Sequence, residues 1–239
     1  VCIFGLPDAA AWPYIVASWT LHVGYYIALT GAYRHGDLGL TYPLMRGTAP
    51  LMVAMASLAF IGERLSPLAW AGVGAISVGV LALGLSRGRL RAAGQNRNKA
   101  VAFALANACI IALYTVIDGL GVRASGDVAA YVAALFVFDG LPYCALVLWQ
   151  RGERRGDALR YMATRWLPAT AGAAASLGSY AIALWAMTQA PVAAVAALRE
   201  TSVLFAALIG WMLLREPFGW QRAAGTAAIV VGMMTLRVG

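Results

Sequence analysis

The sequence predicts an all-α membrane protein: a polytopic helical bundle of two inverted five-helix repeats, with the first two helices of the first repeat absent, leaving eight spans. Three observations lead there. The chain is 62% hydrophobic and 12% charged, against roughly 25% charged for a soluble domain. Its apolar runs are about 20 residues long and show no period-two alternation, which selects helices over a barrel. Finally, laying 38–85 on 191–238 without a gap gives twelve identities in 48 positions, including Arg46/Arg199, Thr48/Thr201, Glu63/Glu216, Gly72/Gly225 and Gly79/Gly232. Apolar residues coincide by chance, but rare Arg and Glu do not readily hold one register.

The elements follow in order. Residues 1–12 read as the end of a preceding element and a short loop, with Pro7 and Asp8 at the turn. Spans are expected at 13–33, 38–61, 66–86, 99–121, 129–149, 166–187, 191–214 and 219–237. This divides the chain into an N-terminally incomplete first repeat (1–86), a basic linker (87–98) and a second repeat (99–239). Shifting the second repeat back by the repeat offset puts its first two helices about 55 residues before Val1, so a parent of ten helices is expected. An odd number of spans per repeat makes the halves insert in opposite orientations.

Charge supports the alternation of spans. Thirteen basic residues fall in loops on one side: Arg34, the group Arg87 to Lys99, the group Arg151 to Arg165, Arg215 and Arg222. The other side has Arg64, Arg123 and Arg237. The positive-inside rule makes the richer side cytoplasmic, as expected for a multi-pass protein of a bacterial inner membrane. The net charge of +8 therefore reads as a topology signal and not as a nucleic-acid-binding face. Cys2, Cys109 and Cys144 lie in or beside apolar segments without CxxC or Cys/His spacing, so no metal, redox site or cofactor is expected. Neither His22 nor His35 has a ligand set or nucleophile nearby in sequence, and no HExxH, GxSxG or phosphate loop occurs, so an enzyme is not expected.

Ionisable residues within the spans are the functional candidates, since one charge at mid-bilayer costs on the order of 3 kcal/mol unless compensated. Arg46 and Arg199 each lie about 12 Å into their helices at 1.5 Å per residue. Entering from opposite faces, they end near the midplane, where their planar donor forks suit carboxylate, phosphate or phosphonate. The competing structural reading pairs Arg199 with Glu200 and Arg46 with Asp139 or Asp118. Asp118 and Asp139 are also coupling candidates, although Asp118 lies near a helix end where a solvated role is equally open. His22, the ionisable residue within span 13–33, is either a proton-coupling group or a hydrogen-bonded packing residue. Tyr25, Tyr26, Tyr42, Tyr114, Tyr180 and Trp185 either line an aromatic cavity or fill space. Pro43 and Pro50 flank Arg46 and remove backbone donors, which predicts a hinge or static kink in the first repeat alone, because their counterparts are Ala196 and Val203. The glycine pairs, seven apart, predict close helix packing. Glu63 and Glu216 read as interfacial caps or loop anchors beside Arg64 and Arg215.

The stretches YPLMRGTAPLMVAMASLAFIGERLS with AGVGAISVGVLAL, and APVAAVAALRETSVLFAALIGWMLLREP with AAGTAAIVVGMM, resemble the EamA-type drug/metabolite transporter superfamily. The YPLMRGT and ALRETS forms are similar to a branch found with phosphonate-utilisation genes. The resemblance implies ten helices in two inverted repeats and transport of small metabolites such as amino acids. The expected function is thus secondary transport of anionic or zwitterionic solutes by alternating access, with substrate-binding candidates Arg46, Arg199, Glu200, Tyr25, Tyr42, Tyr114, Tyr180 and Trp185. Two other readings stand beside it: a proton-coupled cationic or multidrug exporter using Glu200 and Asp139, and a membrane scaffold or lipid-flippase subunit.

Overall fold

The computed structural model describes residues 5–84, 96–212 and 219–238. Most of the basic linker, Cys2, Arg215 and Glu216 lie outside them. The described residues are helical apart from turns. A 3₁₀ turn, Ala9–Ala11, leads into α1 (Trp12–His35), then α2 (Leu38–Ala56), a π turn (Ser57–Ile61) and α3 (Pro67–Gly84). After the linker come α4 (Arg97–Ala124), α5 (Val128–Arg151), a 3₁₀ turn (Gly152–Arg154), α6 (Arg155–Thr164), α7 (Trp166–Gln189), α8 (Val192–Arg199), α9 (Ser202–Met212) and α10 (Trp220–Val238). Four helical segments among the described residues are long and apolar enough to cross a membrane: Leu40–Ile61, Arg97–Ala124, Val128–Arg151 and Trp166–Gln189.

Local chemistry sets the boundaries. Ser66 accepts a bond from the Ala69 N–H at 3.0 Å and Pro67 opens α3, a cap followed by a residue whose missing donor costs nothing at that position. The Asp127 carboxylate takes the N–H groups of Ala129 and Ala130 at 2.7 and 3.2 Å and starts α5. Gly62, at φ 75°, turns the chain out of the π segment in the left-handed conformation that glycine adopts without strain.

The chain forms two compact units. One comprises residues 1–19 and 118–189, the other 20–117 and 190–239. In the first, Ala130, Tyr131, Ala134 and Leu135 of α5 are buried, as are Ala183, Leu184 and Met187 of α7, whereas residues 166–177 of α7 are exposed. In the second, α1, α2 and α4 interlock through Ala32, Met45 and Ala104 and through Ala49, Ala108, Ile111 and Tyr114. The buried Asn107 side chain donates to the Tyr25 carbonyl at 2.9 Å, tying α4 to α1.

The closest helix contact in this unit joins α3 to α10, which run antiparallel. A Cβ on Gly72 would come within 2.9 Å of the Gly232 carbonyl oxygen, and one on Gly232 within 2.7 Å of the Gly72 carbonyl; Gly79 and Gly225 meet in the same reciprocal way at 2.7 and 2.9 Å. The glycines expected to allow close packing do so against one another, bringing two backbones to a distance no side chain permits.

One expectation about helix continuity is overturned, that of a single unbroken helix over 191–214. α2 runs unbroken through Pro43 and Pro50, so the two prolines do not split it. The break falls instead in the stretch expected as one span over 191–214. α8 stops at Arg199, Glu200 and Thr201 form a turn, and α9 starts at Ser202. Bonding tightens there to i→i−3: Glu200 N–H to the Ala197 carbonyl, Thr201 to Leu198, Val203 to Glu200 and Leu204 to Thr201, at 2.9 to 3.1 Å.

Because the α3–α10 contact is backbone on backbone, Gly79→Val should lower stability by about 1–3 kcal/mol or more, since neither carbonyl nor main chain yields as a flexible side chain does. Gly74, with open space where its Cβ would go, is the control: Gly74→Ala should change stability by less than about 1 kcal/mol. Thermal unfolding in detergent, followed by tryptophan fluorescence, checks both.

Candidate functional site

The broken helix delivers two ionisable side chains to one place. Arg199 ends α8, and Glu200 and Thr201 form the turn before α9. A cation at a helix C-terminus and an anion at a helix N-terminus each suit the local dipole, so the order Arg–Glu fits a break between two half-helices. Thr201 and Ser202 follow, residue types that favour helix starts, and this was the sequence signal for the break.

From the neighbouring α2, Arg46 places its Nε 3.0 Å from Glu200 Oε2, a charge contact without the alignment of a hydrogen bond. The side chains are 24% and 6% exposed. The sequence offered Asp118 or Asp139 as the acid for Arg46; the structure gives it Glu200, and Arg199 also exerts its charge on that carboxylate. Position 47, which aligns with Glu200 in sequence at the 153-residue offset, is a glycine whose Cβ would meet Leu81 at 2.6 Å. α2 packs too tightly against α3 at that point to carry an acid, so the asymmetry has a steric cause.

Around the pair lies a narrow pocket of about 10 Å³, lined by Arg46, Arg199, Glu200, Pro50, Tyr114 and Thr115 among others. That is room for about one water molecule. Pro50 has a further effect: in a helix its N–H would bond the carbonyl four residues earlier, which is that of Arg46, so this carbonyl lacks its helical donor.

The remaining candidates separate. Tyr114 is buried at the pocket, stacked against His22 with centroids 4.5 Å apart and edge-on to Tyr25 at 6.1 Å. Tyr25 in turn meets Tyr26 at 5.3 Å. His22 is thus part of an aromatic cluster. Tyr42 and Trp185 are exposed, and Tyr42 lies within electrostatic reach of Arg46. Tyr180 is directed to Asp118. Asp118, open to a solvated reading from sequence, is fully buried in α4 and takes hydrogen bonds from the hydroxyls of Tyr131 and Tyr180. Tyr131 was not singled out by the sequence, where it stands as one aromatic among many; its ring fits because Gly121 leaves space for it. Asp139 is half-buried on α5. Glu63 acts as a cap: its carboxylate accepts the N–H of Val192, the first residue of α8, at 2.8 Å. Among the described residues, no group of three or more His, Cys, Asp or Glu side chains is placed to hold a metal.

Apolar membrane-length helices, a discontinuous helix and a charge pair at the break define a polytopic helical membrane protein with a buried polar centre. The EamA-like transporter family model matches residues 98–238, and the chain belongs to that family. A solved structure titled "Crystal structure of protein" is similar over 95% of this chain and 76% of its own, with 18% identity and a TM-score of 0.69, a likeness of fold. A search of curated protein sequences gives no match.

Removing one member of the charge pair should cost more than removing both. Glu200→Leu leaves two cations together and should destabilise by about 3 kcal/mol. Arg46→Leu should cost less, because Arg199 still faces Glu200, and the double variant should recover much of the Glu200→Leu loss. A double-mutant cycle of thermal melts in one detergent measures all three.

Proposed function

We propose that this chain is the transport core of a secondary carrier for small amino-acid-like solutes, moving them across a bacterial inner membrane by alternating access, with Arg46, Arg199 and Glu200 at the substrate site. The observation that carries the proposal is the Arg46–Glu200 contact beside Arg199 in one pocket. A solute with both a carboxylate and an ammonium group can replace this pair, giving its carboxylate to the arginines and its ammonium to Glu200. Each buried charge then keeps a partner throughout. A plain anion would be repelled by Glu200, so zwitterions are favoured over monoanions. The water-sized pocket fits an occluded, substrate-free conformation in which the protein's own charges stand in for the solute. Tyr114 supplies an aromatic wall next to the pair.

The inverted-repeat reading draws support from α3 and α10. Their contacts exchange under the 153-residue offset: Gly72 on Gly232 becomes Gly225 on Gly79, and Leu236 against Gly72 becomes Leu83 against Gly225. A local two-fold relation produces that pattern. The two-domain division at 87–98 and the kinship with the phosphonate-associated branch belong to the same reading; the latter rests on the YPLMRGT and ALRETS forms.

A second reading keeps Glu200 as the substrate or proton site of a cationic exporter and makes Arg46 its structural partner, which the same ion pair also favours. One experiment separates them. The protein is reconstituted in vesicles and uptake of radiolabelled neutral amino acids is compared with that of a monoanionic phosphonate and a lipophilic cation. Arg46→Gln and Arg199→Gln should each lower amino-acid uptake at least about tenfold. Glu200→Gln should weaken zwitterion uptake while sparing the monoanion. Normal transport by both folded arginine variants ends the first reading, and cation transport abolished by Glu200→Gln alone establishes the second.

A further inference from the structure

We propose that Asp118 is a proton-binding site, and that the proton it takes releases the hydrogen bond by which Tyr180 ties α7 to α4. Every group involved lies within the unit formed by 1–19 and 118–189. Asp118 is fully buried, and its two carboxylate oxygens are each assigned: Oδ1 accepts the Tyr131 hydroxyl of α5 at 3.0 Å, and Oδ2 accepts the Tyr180 hydroxyl of α7. An ionised carboxylate is an acceptor only, so two phenolic donors match it. When a proton from water adds to one oxygen, that oxygen becomes a donor. The phenol opposite it must then turn its hydroxyl to accept, or give up the bond. No electron moves, and the net change is one proton bound and one negative charge removed.

The two phenols are unequal in what they can yield. Tyr131 is fully buried, thirteen residues from Asp118 in the α4–α5 hairpin, and its ring is seated over Gly121. Tyr180 is half-buried, touches Phe136 edge-on at 6.0 Å, and stands on α7, whose residues 166–177 are exposed. The Tyr180 bond is therefore the one released. Other ionisable groups in this unit include Tyr14 of α1, which faces Tyr131, and Arg123 of α4, whose Nε donates to the Met187 carbonyl of α7 at 2.8 Å. That second tie does not depend on a carboxylate, and it holds the C-terminal end of α7 in place. Loss of the Tyr180 bond thus frees the N-terminal part of α7 to swing about an anchored end. The sign follows from the donors: they favour the ionised carboxylate, so the clamp is present at high pH and lost as pH falls.

Nitroxide labels at Ala171→Cys on α7 and Ala145→Cys on α5, with the native cysteines changed to Ser, report the swing through pulsed electron resonance distances in nanodiscs. Between about pH 9 and pH 4, the distance distribution of the labelled, otherwise unaltered protein should shift by several ångström. In Asp118→Asn it should stay at its low-pH form throughout, and in Tyr180→Phe the pH response should vanish. Infrared difference spectra over the same titration should show a protonated-carboxyl band that Asp118→Asn lacks. A distribution that does not move with pH in the labelled protein overturns the proposal without any variant, so misfolding of Asp118→Asn leaves the test intact. A full shift persisting in Asp118→Asn or Tyr180→Phe overturns it equally. No substrate enters the measurement, so its outcome is independent of the reading of Arg46, Arg199 and Glu200.

Discussion

A charge in a membrane-spanning chain must be met by the protein itself, and the contact of Arg46 with Glu200 is how this chain meets that constraint. Much of the second unit's local geometry serves it. α2 has to bring a guanidinium alongside α8, α8 has to end where Glu200 can face it, and Gly47 has to stay small because Leu81 occupies the space beside it. The pair is modest as a source of stability, since two buried ions give back in desolvation much of what they gain by attraction. Its value is in specifying one arrangement of helices.

The helix break and the two prolines divide the backbone's work differently from what sequence suggested. Proline at 43 and 50 removes two donors, yet α2 stays helical through both, because a helix held on several sides tolerates a lost bond. What Pro50 does is leave the Arg46 carbonyl without its helical donor beside the pocket. In α8–α9 no proline is needed: opposite charges next to each other, followed by Thr201 and Ser202, let two half-helices meet end to end with each charge at its favoured terminus. The polar centre thus combines a continuous helix with a freed carbonyl and a broken helix with a charged joint.

Much of this was legible in the sequence, for physical reasons. Helix positions follow from apolar run length, and the close contact of α3 with α10 follows from glycines seven residues apart. Arg46, Arg199 and Glu200 stood out because charges in such runs are costly. The pairing did not follow from sequence, because which acid meets which arginine depends on helix rotation, and periodicity constrains rotation weakly when nearly every position is apolar. For the same reason Tyr180 could be read as a cavity aromatic although it bonds Asp118, and Tyr131 passed unnoticed. Asp118 lies six residues from the end of α4, which suggested solvent; the hydroxyls of α5 and α7 supply in its place the hydrogen bonds that water would have given.

The cap that Glu63 places on α8 also bears on the order in which the protein can be made. Its carboxylate bonds the N–H of Val192, 129 residues later in the chain. A ribosome adding on the order of 10 residues per second separates the two partners by roughly ten seconds. Until then the loop after α2 is inserted but cannot be fastened to the helix start it caps. Docking of α8 therefore follows synthesis of everything between Glu63 and Val192, and the charge pair that closes the polar centre forms only after Glu200 has been added.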